Sequence, residues 1–341
     1  MRILDSAAVD SLLTPGLALD AMRDLFGLTD AGAIGYARSQ LTHPRGWQRI
    51  LPGYIAPMGV VGFKVLHRTK GEGMRYTIYV HDLQTGALTG LVDGLEITNL
   101  RTGAVSALAT AHLAAEPVEV AAMVGTGPVA RGQLAAMDMV RPAKEVRVFA
   151  RTPENRRRFI REMSPVVGSR LTDAVSLEEA IEGASLVTLA TKATEPILFS
   201  HHLSPGVHVN SVGPASRDRV EVDPAAFPSF DRVACDSIEQ VMDEAGDAYL
   251  AVKEGHFDPA EADDLAALVT GAAPGRASAD EITLFKSVGT GLQDLMVAER
   301  LLQAAEEAGV GRVEENFVSI KPVGPPSARD ANGRSREEMG R

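Results

Sequence analysis

The 341-residue sequence holds a single cysteine, Cys235, so no internal disulfide framework is available. That usage fits a reducing cytoplasm, and Cys235 lies in the apolar run RVACDS, where a buried structural thiol is expected rather than a nucleophile. Also lacking is any apolar run approaching the ~18 residues of a membrane span, so no membrane partner is expected. The opening MRILDSAAVDSLL carries Asp5 and Asp10 inside its apolar pattern and no small-residue cleavage site, and does not read as a signal peptide. A net excess of basic charge is lacking: the formal net charge of −11 counts against a nucleic-acid surface and leaves a small molecule as the expected partner. The eight histidines fall in no ligand spacing; adjacent His201 and His202 cannot share a helical face, and no metal is expected.

What is present is globular: 45% hydrophobic and 23% charged residues, at a length that suits about two domains. From residue 119 to 295, short apolar strands (AAMV, VRVF, Leu186–Thr191, His208–Gly213, Arg232–Asp236) alternate with helical stretches. One of these, SLEEAIEGA, opens on a Ser176 cap with Glu179 three residues on. Such alternation predicts a parallel sheet covered on both faces, a nucleotide-binding domain. Residues 1–118 open with a helix pair, then run through QRILPGYIA, VVGFKVLHR, RYTIYVHD and LTGLVDG with short connections, which predicts an antiparallel or mixed sheet. The expected class is α/β, a dinucleotide-binding domain beside an α+β domain. The striped helix Gly291–Ala308 is expected to pack back on the first domain or on another subunit, so that residues 296–324 rejoin it. Residues 325–341, almost without apolar side chains, are expected to be disordered.

The most informative stretch starts where the strand EVAAMV ends. Gly125, Thr126, Gly127, Pro128, Val129 and Ala130 (GTGPVA) stand between that strand and the helical RGQLAAMDMV. Strand, glycine turn and helix in this order form the context of the dinucleotide fingerprint, with alanine as its third member. Gly125 would allow the tight turn, Gly127 the approach of a pyrophosphate, and the helix N-terminus would offer unpaired N–H groups. About 20 residues on, an NAD site places an acid after the second strand. Here VRVF is followed by Ala150, Arg151 and Thr152, a guanidinium and a hydroxyl suited to a 2′-phosphate, with Arg156, Arg157 and Arg158 adding positive charge. NADP(H) is therefore the expected cofactor, with NAD(H) as the alternative.

Three basic residues of the first domain are candidates for holding a substrate. Lys64, in GFKV, is read as half buried, with a depressed pKa suited to proton transfer or to a carboxylate. Arg101, in TNLRTGAVSALAT, is read as sitting at a helix start, where a cation opposes the dipole and an anion would explain it. Arg38, in GYARSQLTH, could supply a second fork.

With these pieces the chain resembles the ornithine cyclodeaminase and mu-crystallin family, from LPGY at Leu51–Tyr54 through GFKV, TNLRTGAVSALAT and GTGPVA to DEITLFKSVGTGLQD at Asp280–Asp294. The resemblance implies a homodimer built through the first domain and an active site between the two domains. It also implies a substrate that is a small amino acid, imino acid or cyclic imine carboxylate. Arg38, Lys64 and Arg101 fall where such proteins hold the substrate carboxylate, the lysine also serving in catalysis, and Ser211, Val212 and Gly213 are expected beside the cofactor. One departure matters. In NSVGPASRD, Ala215 stands where cyclodeaminases carry an aspartate, with Asp218 three residues on. That loop is closer to the imine-reductase branch. The expected function is NADPH-dependent reduction of a small imine carboxylate. Cyclodeaminase or amino acid dehydrogenase activity, and a non-catalytic NADPH-dependent small-ligand carrier, are the alternatives; whether Lys64 and both arginines point into one cavity beside the nicotinamide separates catalyst from carrier. Leu51, Tyr54, His67 and Tyr79 are candidate contacts for the substrate's tail.

Overall fold

A computed structural model of the chain describes residues 1–28, 32–35, 38–213, 215–315 and 317–319. The expected tail at 325–341 lies outside the described residues, as do residues 320–324. Strand β1 (Arg2–Leu4) leads into α1 (Ser6–Leu12) and α2 (Pro15–Phe26). Both helices begin as their sequences dictate: Asp5 accepts from Ala8 N at 2.9 Å, and Thr14 accepts from Leu17 N at 3.1 Å ahead of Pro15. Strands β2 (Ala33–Gly35), β3 (Ser39–His43), β4 (Gly46–Ile55), β5 (Val60–Thr69), β6 (Gly73–Asp82) and β7 (Leu88–Asp93) follow, then α3 (Leu95–Leu113).

The second run comprises β8 (Val118–Val124), α4 (Pro128–Val140), β9 (Ala143–Phe149), α5 (Pro153–Met163), β10 (Arg170–Asp173), α6 (Leu177–Ile181), β11 (Leu186–Leu189) and β12 (His208–Ser211). It continues through β13 (Arg232–Cys235), α7 (Ile238–Glu244), α8 (Gly246–Lys253), β14 (Ala262–Asp264), α9 (Leu265–Thr270) and β15 (Thr283–Lys286). The chain then returns to the first sheet with α10 (Gly291–Ala308) and β16 (Arg312–Val313).

The first sheet is mixed, in order β16-β1-β7-β6-β5-β4-β2 with β3 on β4; β1 runs parallel to β7 and the other pairs are antiparallel. Helix α10 lies against it, and glycines let it come close: a Cβ on Gly62 would stand 2.9 Å from Leu295 Cδ1, and one on Gly90 2.3 Å from Leu302 Cδ1. The second sheet is wholly parallel, in order β10-β9-β8-β11-β12-β15-β13-β14, with its strand order reversing between β8 and β11. Five of its strands were legible as apolar runs; β10 (RLTD) and β14 (ADD) hold too few apolar residues to stand out, and β15 (TLFK) was not read as a strand.

Helix α3 is buried along most of its length and bridges the two sheets. It crosses α4 so closely that a Cβ on Gly103 would meet Gly132 O at 2.1 Å, and its Thr110 Oγ1 accepts from Asn210 Nδ2 of β12 at 2.9 Å. The chain passes from the second sheet to the first within Ser287–Thr290, so the boundary expected at residue 295 falls inside α10.

Candidate active site

In a parallel sheet all strand C-termini share one edge, and ligands bind in the crevice there, where the strand order reverses. The glycine turn occupies that point. Gly125 has φ +119°, and a Cβ on it would stand 2.3 Å from Ala190 O, just beyond β11, so glycine is required on both counts. Gly127 is the N-cap of α4 with open space on its Cβ side, and Pro128 at the first helical position gives up a donor that was free in any case. The early N–H groups of Val129 and Ala130 belong to that unpaired helix start. Arg131, unremarked in the sequence reading, donates to Thr126 O at 2.9 Å and so steadies the turn from the helix side. Gly125→Ala is expected to lower stability by about 1–3 kcal/mol and to abolish nucleotide binding, read by thermal unfolding and by quenching titration with NADPH.

Beyond β9, Arg151 and Thr152 are exposed, and Arg151 forms no hydrogen bond or ion pair with the described residues. Thr152 caps α5 without using its hydroxyl. Arg156 differs from expectation: it is buried, paired with Asp173 and donating to Ala150 O at 2.8 Å, so it adds no free charge. Ser211 Oγ and Gly213 N both donate to Glu221 (3.0 and 2.9 Å), and Val212 is 8% exposed.

The second half of the site is a buried ion cluster. Lys64 is 2% exposed rather than half buried, because strand alternation turns it to the α10 face of β5, together with Gly62. There its Nζ pairs with Asp294 of α10, whose other oxygen accepts Arg101 Nε at 3.2 Å. Burial lowers the Lys64 pKa to about 8; Asp294 opposes the shift, and Arg101 and Arg38 add to it. Arg101 does not stand at a helix start. α3 begins at Leu95, which puts Arg101 roughly two turns in, beyond the free N–H groups, so the helix end offers no anion site beside it. Its Nη1 instead donates to Gln293 Oε1 at 2.7 Å.

Asp236, at the carboxyl end of β13, fastens the loop that carries this cluster. It accepts from Ser287 Oγ (2.8 Å), Val288 N (3.2 Å), Gly289 N (2.8 Å) and Gln293 Nε2 (3.0 Å). Arg38 meets the same loop from the other side, donating to Val288 O (3.1 Å) and Gly289 O (2.8 Å), with its Nε 2.6 Å from Glu244 Oε2. Burial raises the Glu244 pKa, against the pull of Arg38. The three predicted cations therefore converge on Val288–Asp294, Arg38 donating to Gly289 O and Arg101 lying where a Cβ on Gly289 would stand 2.5 Å from its Nη1.

Sequence reasoning missed Asp294, Asp236, Glu244 and Tyr76. Tyr76 lies on the Lys64 face, its ring 6.0 Å from Nζ, and burial raises its pKa. Asp294 was readable as an acid inside the apolar stripe of GLQDLMVA. The tail candidates fare differently. Tyr54, His67 and Tyr79 register with the β5 face opposite Lys64, Tyr79 stacking on Phe63 at 4.8 Å, and Leu51, although opposite Lys64, is 4% exposed core. Asp218 is exposed and accepts from Ser216, so it does not reach the buried cluster in place of the carboxylate absent at Ala215.

A dinucleotide-type glycine turn at the strand-order reversal, together with a buried cluster of Lys64 on the mixed sheet, Arg101 on α3 and Asp294 on α10, defines the class, a two-sheet α/β protein with a Rossmann-type half. Residues 36–309 match the ornithine cyclodeaminase/mu-crystallin family, and the chain belongs to it. It is 35% identical over 273 residues to Delta(1)-pyrroline-2-carboxylate reductase of Bacillus cereus, covering 78% of this chain and 84% of that protein. To the ketimine reductase mu-crystallin of Rattus norvegicus it is 30% identical over 306 residues, 87% of this chain and 93% of that one. Its fold superimposes with a TM-score of 0.87 on Thermococcus litoralis Delta(1)-pyrroline-2-carboxylate reductase in complex with NADH and L-proline, at 31% identity over 92% of this chain and 100% of that chain. Among the described residues no helix is long and apolar enough to cross a membrane, and no group of His, Cys, Asp and Glu could hold a metal.

Proposed function

We propose that this chain reduces the C=N bond of a small cyclic imine carboxylate, Delta(1)-pyrroline-2-carboxylate or its six-membered analogue, to the amino acid at the expense of NAD(P)H. The observation that carries the reading is the convergence of Lys64, Arg101 and Arg38 on the loop at the carboxyl edge of the nucleotide-binding sheet. The named relatives, a Delta(1)-pyrroline-2-carboxylate reductase and a ketimine reductase, support it.

The residues present fit a dinucleotide. Gly125, Thr126 and Gly127 would pass beneath the pyrophosphate, with Pro128, Val129 and Ala130 presenting the helix start, and the Ser211–Gly213 segment would flank the other half. Arg151 and Thr152, both free at the end of β9, would take a 2′-phosphate, so NADP(H) is preferred over NAD(H). When bound, the reduced nicotinamide supplies the hydride that the imine carbon accepts. Arg38 and Arg101 hold the substrate carboxylate and so fix the position of that carbon. Lys64, protonated below about pH 8, gives a proton to the imine nitrogen or orders the water that does, so that C=N becomes CH–NH.

Residues 1–118 with the chain from Gly291 on would form the substrate and dimer unit, and 119–290 the nucleotide unit. Exposed apolar side chains on the first sheet, Leu41 at 67% among them, support a homodimer through that sheet, in a soluble cytoplasmic protein.

The test is consumption of NADPH and NADH against cyclic imine carboxylates of both ring sizes, with ornithine assayed separately for ammonia. Stoichiometric amino acid formation with NADPH favoured is expected. Ammonia release without net cofactor loss would replace the reading with cyclodeaminase chemistry. Arg151→Ala is expected to weaken NADPH binding roughly tenfold and leave NADH binding within about twofold, a comparison of two dissociation constants.

A further inference from the structure

We infer that Glu221 is a positioning residue for the nicotinamide half of the cofactor, an inference that rests on the dinucleotide reading above. Glu221 is 1% exposed, and its carboxylate hydrogen-bonds to neither the glycine turn nor the Lys64 cluster. Its Oε1 accepts from Thr191 N (2.8 Å) and Thr191 Oγ1 (2.6 Å), and its Oε2 from Ser211 Oγ (3.0 Å) and Gly213 N (2.9 Å). One carboxylate thus clamps the two segments that leave the carboxyl ends of β11 and β12.

Those segments lie beyond the strand-order reversal, on the side away from β9 and β10. In a doubly wound sheet each side of the reversal serves one mononucleotide half, and the glycine turn with Arg151 serves the adenosine half. What Glu221 holds is therefore the wall of the other half. Beneath it, Lys286 Nζ donates to Ser211 Oγ at 2.8 Å and to Asp247 Oδ2 at 2.6 Å, both partners buried. Gly213 closes the fit, since a Cβ there would stand 2.2 Å from Glu221 Cδ.

A carboxylate is required by the donors. Backbone N–H groups from two different loops reach two different oxygens, whereas an amide accepts on one atom only and would set its NH2 against the other N–H. Three ionisable groups buried to steady two short loops is costly for stability alone, and is explained if those loops must hold a ligand.

The experiment compares Glu221→Gln and Thr191→Val with the full-length wild type, titrating each with NADPH, with NADP+ and with 2′,5′-ADP as an adenosine-half probe, alongside thermal unfolding. Glu221→Gln is expected to raise the Kd of both dinucleotides roughly tenfold while 2′,5′-ADP binds within about twofold of wild type, and Thr191→Val to shift the same way by less. Should Glu221→Gln fail to fold, Thr191→Val carries the same test. Equal binding of all three ligands by the variants, or equal losses for 2′,5′-ADP and the dinucleotides, overturns the inference. A wild type that binds none of them overturns the cofactor reading itself, a result distinct from either.

Discussion

Lys64→Ala is expected to lower kcat for imine reduction roughly 10²–10⁴-fold, the range for losing a positioned proton donor. NADPH affinity should hardly change, because Lys64 stands on the mixed sheet and the glycine turn on the parallel one. A pH profile adds a second reading. With the Lys64 pKa brought to about 8, wild-type kcat falls as pH rises through that value, and the variant lacks this limb. Stability has the opposite sign. The folded pKa lies below the unfolded 10.5, so the unfolded chain binds the proton more tightly, and the burial penalty is full below about pH 8 and relieved towards 10.5. The Tm of wild type relative to Lys64→Met should therefore rise between pH 7 and pH 10. A kcat within about threefold of wild type at every pH would remove Lys64 from the mechanism.

Asp294→Ala should be the most destabilising substitution in the site, by about 3–5 kcal/mol, since it strands Lys64 and Arg101 as buried cations sharing no anion. Denaturant midpoints measure this, and a double variant with Lys64→Met should recover part of the loss, which separates charge from packing. A midpoint equivalent to less than about 0.5 kcal/mol from wild type would mean that water or another acid reaches the cluster.

Legibility followed how local each signal was. Gly125 and Gly127 could be read because a strand, a turn and a helix are contiguous, and the structure puts them at the strand-order reversal. Helix α10 was read at its true limits because its apolar stripe is continuous. Lys64 and both arginines were readable as cations in odd places, but not their partners: Asp294 is far from Lys64 in sequence and meets it only because α10 returns to the first sheet. Arg101 was misplaced because α3 starts earlier than its apolar pattern suggests, at Leu95, after an N-cap Gly94 with no side chain to mark it. The register that turns Tyr76 towards Lys64 and Tyr79 away is a property of paired strands, and a single strand's sequence does not specify which face meets the helix.

The most direct test of the central claim is isotopic. Purified protein would be given Delta(1)-pyrroline-2-carboxylate and NADPH deuterated at nicotinamide C4 on either face, and the product analysed by mass. The account predicts proline carrying one deuterium at C2 from one of the two labelled faces, with one NADP+ formed per proline. Proline without label, or no proline while NADPH stays bound and unreacted, would contradict it.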